Sequence, residues 1–220
     1  MTPDGRLIPP DAFVPIAEQN GLAAALTDAI LDQSLHASAR WRELRPDCKV
    51  AVNLSPLLLD DPAVTDRIEH ALRKHNVPAG ALVLEITETN GIPDTPRAME
   101  ILTRLRIRGV NLAVDDFGTG HSSLLSLVRT PFNEMKIDQA FVREALTNRD
   151  SRKVVRASAS LGRELGLTVV AEGVETGDIA ELVTEAGCHI GQGWLYGRAV
   201  PPEIFQAELG DMPVPAAVVD

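Results

Sequence analysis

The chain has 220 residues, 45% of them hydrophobic and 24% charged, with 21 Lys and Arg against 31 Asp and Glu. That is long enough to bury a core as a single domain and too apolar for a disordered chain. A net charge of −10 and an aromatic content of 4% exclude a basic DNA- or RNA-binding surface and a stacking platform for single strands. No apolar run approaches the ~18 residues of a membrane span, and no basic-then-apolar leader is visible, so a cytoplasmic chain without a membrane segment is expected. Cys48 and Cys188 lie far apart without ligand spacing and read as two reduced thiols.

In chain order, residues 1–15 are rich in Pro, Gly and Asp and read as an irregular lead-in. Apolar residues at helical spacing predict a helix over 21–44, ended by Arg45-Pro46. A β-branched run at 49–54 reads as a strand, and 62–75 as a helix closed by the turn cluster 76–80. The alternation repeats: strand 81–87, helix 95–108, strand 110–114, short helix 122–128, strand 134–137. Residues 139–165 read as helical with a break near Asn148, followed by strand 167–171, helix 177–185, weak strand 188–191 and helix 202–209. A domain over 1–210 with a loose tail at 211–220 is expected. Strands alternating with helices imply βα units on a parallel sheet, about six of them. That is fewer than the eight of a (β/α)8 barrel, just as 220 residues fall short of its typical length of about 250.

The informative pattern lies where each strand stops, because parallel α/β folds build their ligand face at the carboxyl ends of the strands. The first strand carries Asn53, the second Glu85 with Glu88 just beyond. The third runs into Asp115-Asp116, the fourth carries Lys136 and is followed by Asp138, and the fifth precedes Glu172 and Glu175. The last leads to Gln192. Carboxylates crowded together repel, and burying them unpaired costs several kcal/mol. Hard divalent cations relieve that cost, and oxygen-only ligands select Mg²⁺, Mn²⁺ or Ca²⁺. Adjacent Asp115 and Asp116 suit a bridge between two metals ~4 Å apart, an arrangement that drives water onto a phosphodiester, and a nearby lysine can orient that water. Each piece alone has a bland reading: Asp115-Asp116 with Gly118 and Gly120 as a capped turn, Glu172 and Glu175 as a helix N-terminal acid pair, Lys136 as a snorkelling lysine.

Together, Val52-Asn53-Leu54-Ser55, Glu85-Ile86-Thr87-Glu88, Asp115-Asp116-Phe117-Gly118-Thr119-Gly120, Lys136-Ile137-Asp138, Ala171-Glu172-Gly173-Val174-Glu175-Thr176 and Gln192-Gly193 stand in the order and approximate spacing of EAL domains. The sequence resembles these bacterial phosphodiesterases, which linearise cyclic di-GMP to pGpG, from about Leu7 to Pro201. The resemblance implies a TIM-type (β/α)8 barrel and a site for two Mg²⁺ or Mn²⁺ ions. Asn53, Glu85 and Asp115 correspond to ligands of the first metal, and Asp115, Asp116 and Glu172 to the second-metal group. Lys136, Glu172 and Asp116 correspond to the catalytic set. Glu88 would brace the loop after Asp116, and Asp138, Glu175 and Gln192 would support the site. That loop, from Phe117 through Gly118, Thr119 and Gly120, couples metal binding to dimer contacts in the family. A homodimer and an upstream sensory or GGDEF domain in a longer parent are further implications.

The main departure is the Glu-Ala-Leu motif itself, whose glutamate is a metal ligand on an early barrel strand. The letters occur once, as Glu144-Ala145-Leu146, on a predicted helix after Lys136 and without the following arginine. They read as chance there, and the first two barrel strands are expected to be missing, by truncation rather than by long decay. Asn133 stands where the family usually has Asp. Two function classes stay open: a metal-dependent hydrolase of cyclic di-GMP, or a silent module binding cyclic di-GMP or a protein partner.

Overall fold

A computed structural model describes residues 8–87, 95–119 and 124–211. Six strands form one parallel sheet in sequential order: β1 (Val50–Asn53), β2 (Leu82–Thr87), β3 (Asn111–Phe117), β4 (Glu134–Ile137), β5 (Thr168–Glu172) and β6 (Ile190–Gln192). Each pairs only with its neighbours in sequence, as successive right-handed βα units require. The result is six strands of an incomplete TIM-type barrel, with β1 and β6 as its edge strands among the described residues.

Period-two alternation divides the sheet. Leu82, Leu84, Ile86, Leu112, Val114, Met135, Ile137, Val169 and Ala171 pack into the hydrophobic core beneath the helices. The alternate positions, Val83, Glu85, Ala113, Asp115, Glu134, Lys136 and Val170, are buried on the opposite face and lie outside that core. The interior face thus carries Val83, Ala113, Val170 and, at the start of β4, Glu134, and its charges Glu85, Asp115 and Lys136 stand further towards the carboxyl ends of the strands.

The helices are α1 (Pro10–Gln19), α2 (Ala23–Leu44), α3 (Ala63–Lys74), α4 (Pro96–Ile107), α5 (Leu124–Arg129), α6 (Gln139–Glu144), α7 (Arg149–Glu164), α8 (Gly177–Ala186) and α9 (Pro202–Asp211). Local chemistry sets several starts. Thr95 accepts from the Ala98 amide with Pro96 in the first turn, Asn148 accepts from Asp150 and Ser151, and Thr176 accepts from Ile179. The Asn148 cap divides the predicted 139–165 helix into α6 and α7. α1 corrects the reading of 1–15 as irregular. Pro10 opens this helix, where a missing N–H costs nothing, whereas Pro15 lies inside it and forgoes the bond to the Asp11 carbonyl. The predicted tail beyond 211 lies outside the described residues. No helix among the described residues is long and apolar enough to cross a membrane.

Candidate functional site

Four neighbouring strands each send one ionisable side chain to the same point. Lys136 on β4 places Nζ 2.7 Å from Glu85 Oε1 on β2, 3.0 Å from Asp115 Oδ1 on β3 and 2.7 Å from Glu172 Oε1 on β5. The Lys136 side chain is only 4% exposed. Burial alone would push its ammonium down, but three carboxylates hold it above the ordinary lysine value. Burial raises Glu85 and Glu172, with Lys136 opposing. Asp115 Oδ1 is fully buried and makes no hydrogen bond; Lys136 touches it as a charge, outside hydrogen-bonding direction.

A backbone irregularity brings in the second aspartate. Adjacent residues of a regular strand point to opposite faces. The β3–β4 register shifts between Val114 and Phe117, and Asp116 takes φ of 56°, a left-handed conformation that aspartate tolerates. Asp115, Asp116 and Glu172 then place one carboxylate oxygen each within 4.8 Å of one another. Burial, the Asp115 charge and hydrogen bonding of the protonated Asp116 to Asp138 push Asp116 up to about 6. Asp138 also caps α6, accepting from the Ala140 amide at 2.7 Å. A set of oxygen donors with one buried, orphaned carboxylate oxygen fits a hard divalent cation.

The remaining sequence-selected residues stand further out. Asn53 is exposed at the end of β1, directly opposite Glu85 in register. Gln192 is exposed at the end of β6, paired with Glu172, and its carbonyl accepts from the Val174 amide at 3.0 Å. A Cβ on Gly193 would come 2.3 Å from the Val174 carbonyl oxygen, so glycine alone permits this close approach after Gln192. Glu175 pairs with Arg143 at 2.8 Å rather than with the cluster. Phe117 ends β3, Thr119 hydroxyl donates to the Asp116 carbonyl at 3.0 Å, and Gly118 packs beside Phe141. Glu88 and Gly120 lie outside the described residues. Glu144 of the chance Glu-Ala-Leu is spent on structure, accepting from Asn148 and Ser151 in the α6–α7 turn.

A cavity of 990 Å³ opens beside Glu172, its lining including Arg143, Gln192, Trp194, Trp41 and Lys49. Trp194 lies between two cations, with Arg198 4.3 Å and Arg143 5.7 Å from its ring centre. Sequence reasoning missed Arg143 and Arg198, because no motif marks them. It also missed Glu134, whose carboxyl is raised by burial on the interior face two residues before Lys136. That spacing was the available signal, since residues i and i+2 share a strand face.

A family model described as EAL domain matches residues 1–199. The chain is 40% identical over 208 residues to the bifunctional diguanylate cyclase/cyclic di-GMP phosphodiesterase MucR of Pseudomonas aeruginosa, covering 94% of this chain and 30% of that protein. It is 34% identical over 199 residues to the cyclic di-GMP phosphodiesterase RocR of the same organism, covering 90% and 51%. The chain thus spans only part of the length of these relatives. Among solved structures it matches PaMucR phosphodiesterase in complex with c-di-GMP with a TM-score of 0.86 and 39% identity, over 92% of this chain and 83% of that one.

Proposed function

The chain belongs to the EAL domain family, and on that premise we propose that it is a metal-dependent phosphodiesterase domain that opens cyclic di-GMP to pGpG. The observation that carries the reading is the convergence of Glu85, Asp115 and Glu172 on one buried lysine at the carboxyl ends of four strands, with Asp116 close to Asp115 and Glu172. In this reading Asn53, Glu85 and Asp115 hold one Mg²⁺ or Mn²⁺, and Asp115, Asp116 and Glu172 hold a second. When bound, the cations supply Lewis acidity that makes a bound water nucleophilic near neutral pH. Lys136 keeps its proton, offsets the carboxylate charge before a dianionic substrate enters, and orients the attacking water by hydrogen bonding. Glu172 accepts from that water. Asp138 and Glu175 hold Asp116 and Arg143 in place, and Gln192 faces the substrate from β6.

The same reading makes the domain a cytoplasmic homodimer within a longer protein that carries sensory or GGDEF modules. Support for a longer parent comes from the bifunctional relative, of which this chain covers 30%. Support for pairing comes from α5, which follows the Asp116 loop and exposes Leu124, Leu125 and Val128 at 59%, 53% and 56%.

One observation favours a second reading, a module that binds cyclic di-GMP or a protein partner without turnover. Among the described residues β1 has no strand on its outer side, so the Asn53 side of the site is held from one flank only. Incubating the protein with cyclic di-GMP and Mn²⁺ separates the two. Formation of pGpG that EDTA and Asp115→Asn abolish supports the hydrolase. Metal-dependent binding without pGpG supports the silent module, and no binding of cyclic di-GMP overturns the hydrolase and the nucleotide-binding module alike, leaving only a protein-binding role.

A further inference from the structure

Of the strands that carry the proposed metal ligands, β1 alone is paired on one side only among the described residues. Its only partner among the described residues is β2, and Asn53 is exposed while Glu85 opposite it is buried. Two bonds hold the corner where the chain leaves β1. The Leu54 amide donates to the Glu85 carbonyl at 2.8 Å, carrying the ladder one residue past Asn53. The Ser55 hydroxyl then donates to Glu18 Oε1 at 2.6 Å, a bond that reaches back 37 residues to the last turn of α1. Ser55 is also where the next turn begins, its carbonyl accepting from the Leu58 amide at 3.0 Å. A half-buried hydroxyl-to-carboxylate bond is short and strong for its class. α1 packs on α2 without a fully buried residue, and this bond ties it directly to the β1 corner.

We propose that Glu18 is a positioning residue: by gripping Ser55 it fixes the β1 corner and holds Asn53 in register opposite Glu85, on the first-metal side of the site. The metal consequence rests on the proposed phosphodiesterase reading, whereas the brace itself does not. Amide hydrogen exchange across residues 53–55, read together with Mn²⁺ titration, tests both. Glu18→Ala and Ser55→Ala should each speed exchange of the Leu54 amide by about fivefold, the loss of one side-chain hydrogen bond, and weaken Mn²⁺ binding by a similar factor. The double variant should be no worse than either single one. Glu18→Gln, which keeps an acceptor oxygen, should recover most of the protection. Unchanged Leu54 exchange in Glu18→Ala, or faster exchange confined to α1, overturns the proposal. Absence of Mn²⁺ binding in the unaltered protein would instead count against the metal reading, and Leu54 exchange would still decide the role of Glu18.

Discussion

Asp116 stands beside Asp138, so that its neutral carboxyl can donate a hydrogen bond to the Asp138 carboxylate, a contact that favours the protonated form of Asp116. Burial is the largest influence, followed by the neighbouring Asp115 charge and then this contact, and together they raise Asp116 to about 6 from an ordinary 3.8. A pKa raised on folding stabilises the protein fully below 3.8, and the contribution disappears as the pH climbs through about 6. Glu85 and Glu172, raised by burial, act in the same direction. Metal-free protein should therefore lose melting temperature between about pH 4 and pH 6, while Mn²⁺ affinity, which needs the ionised carboxylate, rises as the pH passes about 6. Asp116→Asn should flatten part of the stability slope. Melting curves in EDTA at stepped pH check this; equal slopes in the parent and the variant would sink the assignment.

Removing the lysine at the centre of the cluster should be costly. Lys136 is the only cation within 3.0 Å of Glu85, Asp115 and Glu172 among the described residues. Lys136→Met keeps the aliphatic stem and leaves buried carboxylates uncompensated, a change that typically costs about 3–5 kcal/mol. Urea unfolding in EDTA should show that loss, and Mn²⁺ should restore more stability to the variant than to the parent. A variant as stable as the parent without metal would show that the carboxylates are neutralised some other way.

How much of this was legible in the sequence depends on whether it was periodic or local. The alternation of elements, the strand-end acids and Lys136 follow from spacing alone, and the structure brings Glu85, Asp115, Lys136 and Glu172 together across adjacent strands. The dipeptide Asp115-Asp116 gave no hint of how two successive side chains reach one point, because the register shift and the φ of 56° are products of pairing with β4. α1 was hidden by composition, since its prolines argue for a loop until their positions in the helix are known. Arg143 was invisible because its role comes from packing against Trp194 and Glu175, 51 and 32 positions away. His189, close to Gln192 in sequence, proves structural, with its Nδ1 accepting from the Val169 amide at 2.9 Å.

The exposed apolar face of α5 makes a prediction about assembly. Leu124, Leu125 and Val128 lie together on a helix too short to stand without cover, while Leu127 alone turns into the core. Val128→Glu puts a charge in the middle of that face without touching the buried side. It should shift a dimer to monomer in sedimentation equilibrium while leaving the far-ultraviolet circular dichroism unchanged. A parent protein that stays monomeric at high micromolar concentration removes α5 as the contact.

Asn133, the position where the family usually has Asp, is tied into a ladder at the opposite ends of the strands. Its Oδ1 accepts from the Leu112 amide at 2.8 Å, and its Nδ2 donates to Asn111 Oδ1 at 2.9 Å. Asn111 in turn donates to the Gly80 carbonyl at 2.8 Å. Asn133→Asp keeps the first bond and loses the second, setting a carboxylate against the Asn111 carbonyl oxygen. Flipping the Asn111 amide would satisfy that carboxylate but surrender the bond to Gly80. Either outcome leaves the ladder one bond short, at a cost of about 1 kcal/mol. Pairing it with Asn111→Ala should return most of that loss, because the repelled oxygen is then gone. Chemical denaturation of the two single variants and the double variant measures the coupling. Additive effects would show that the two asparagines act independently, and that the departure from Asp at this position has no partner in Asn111.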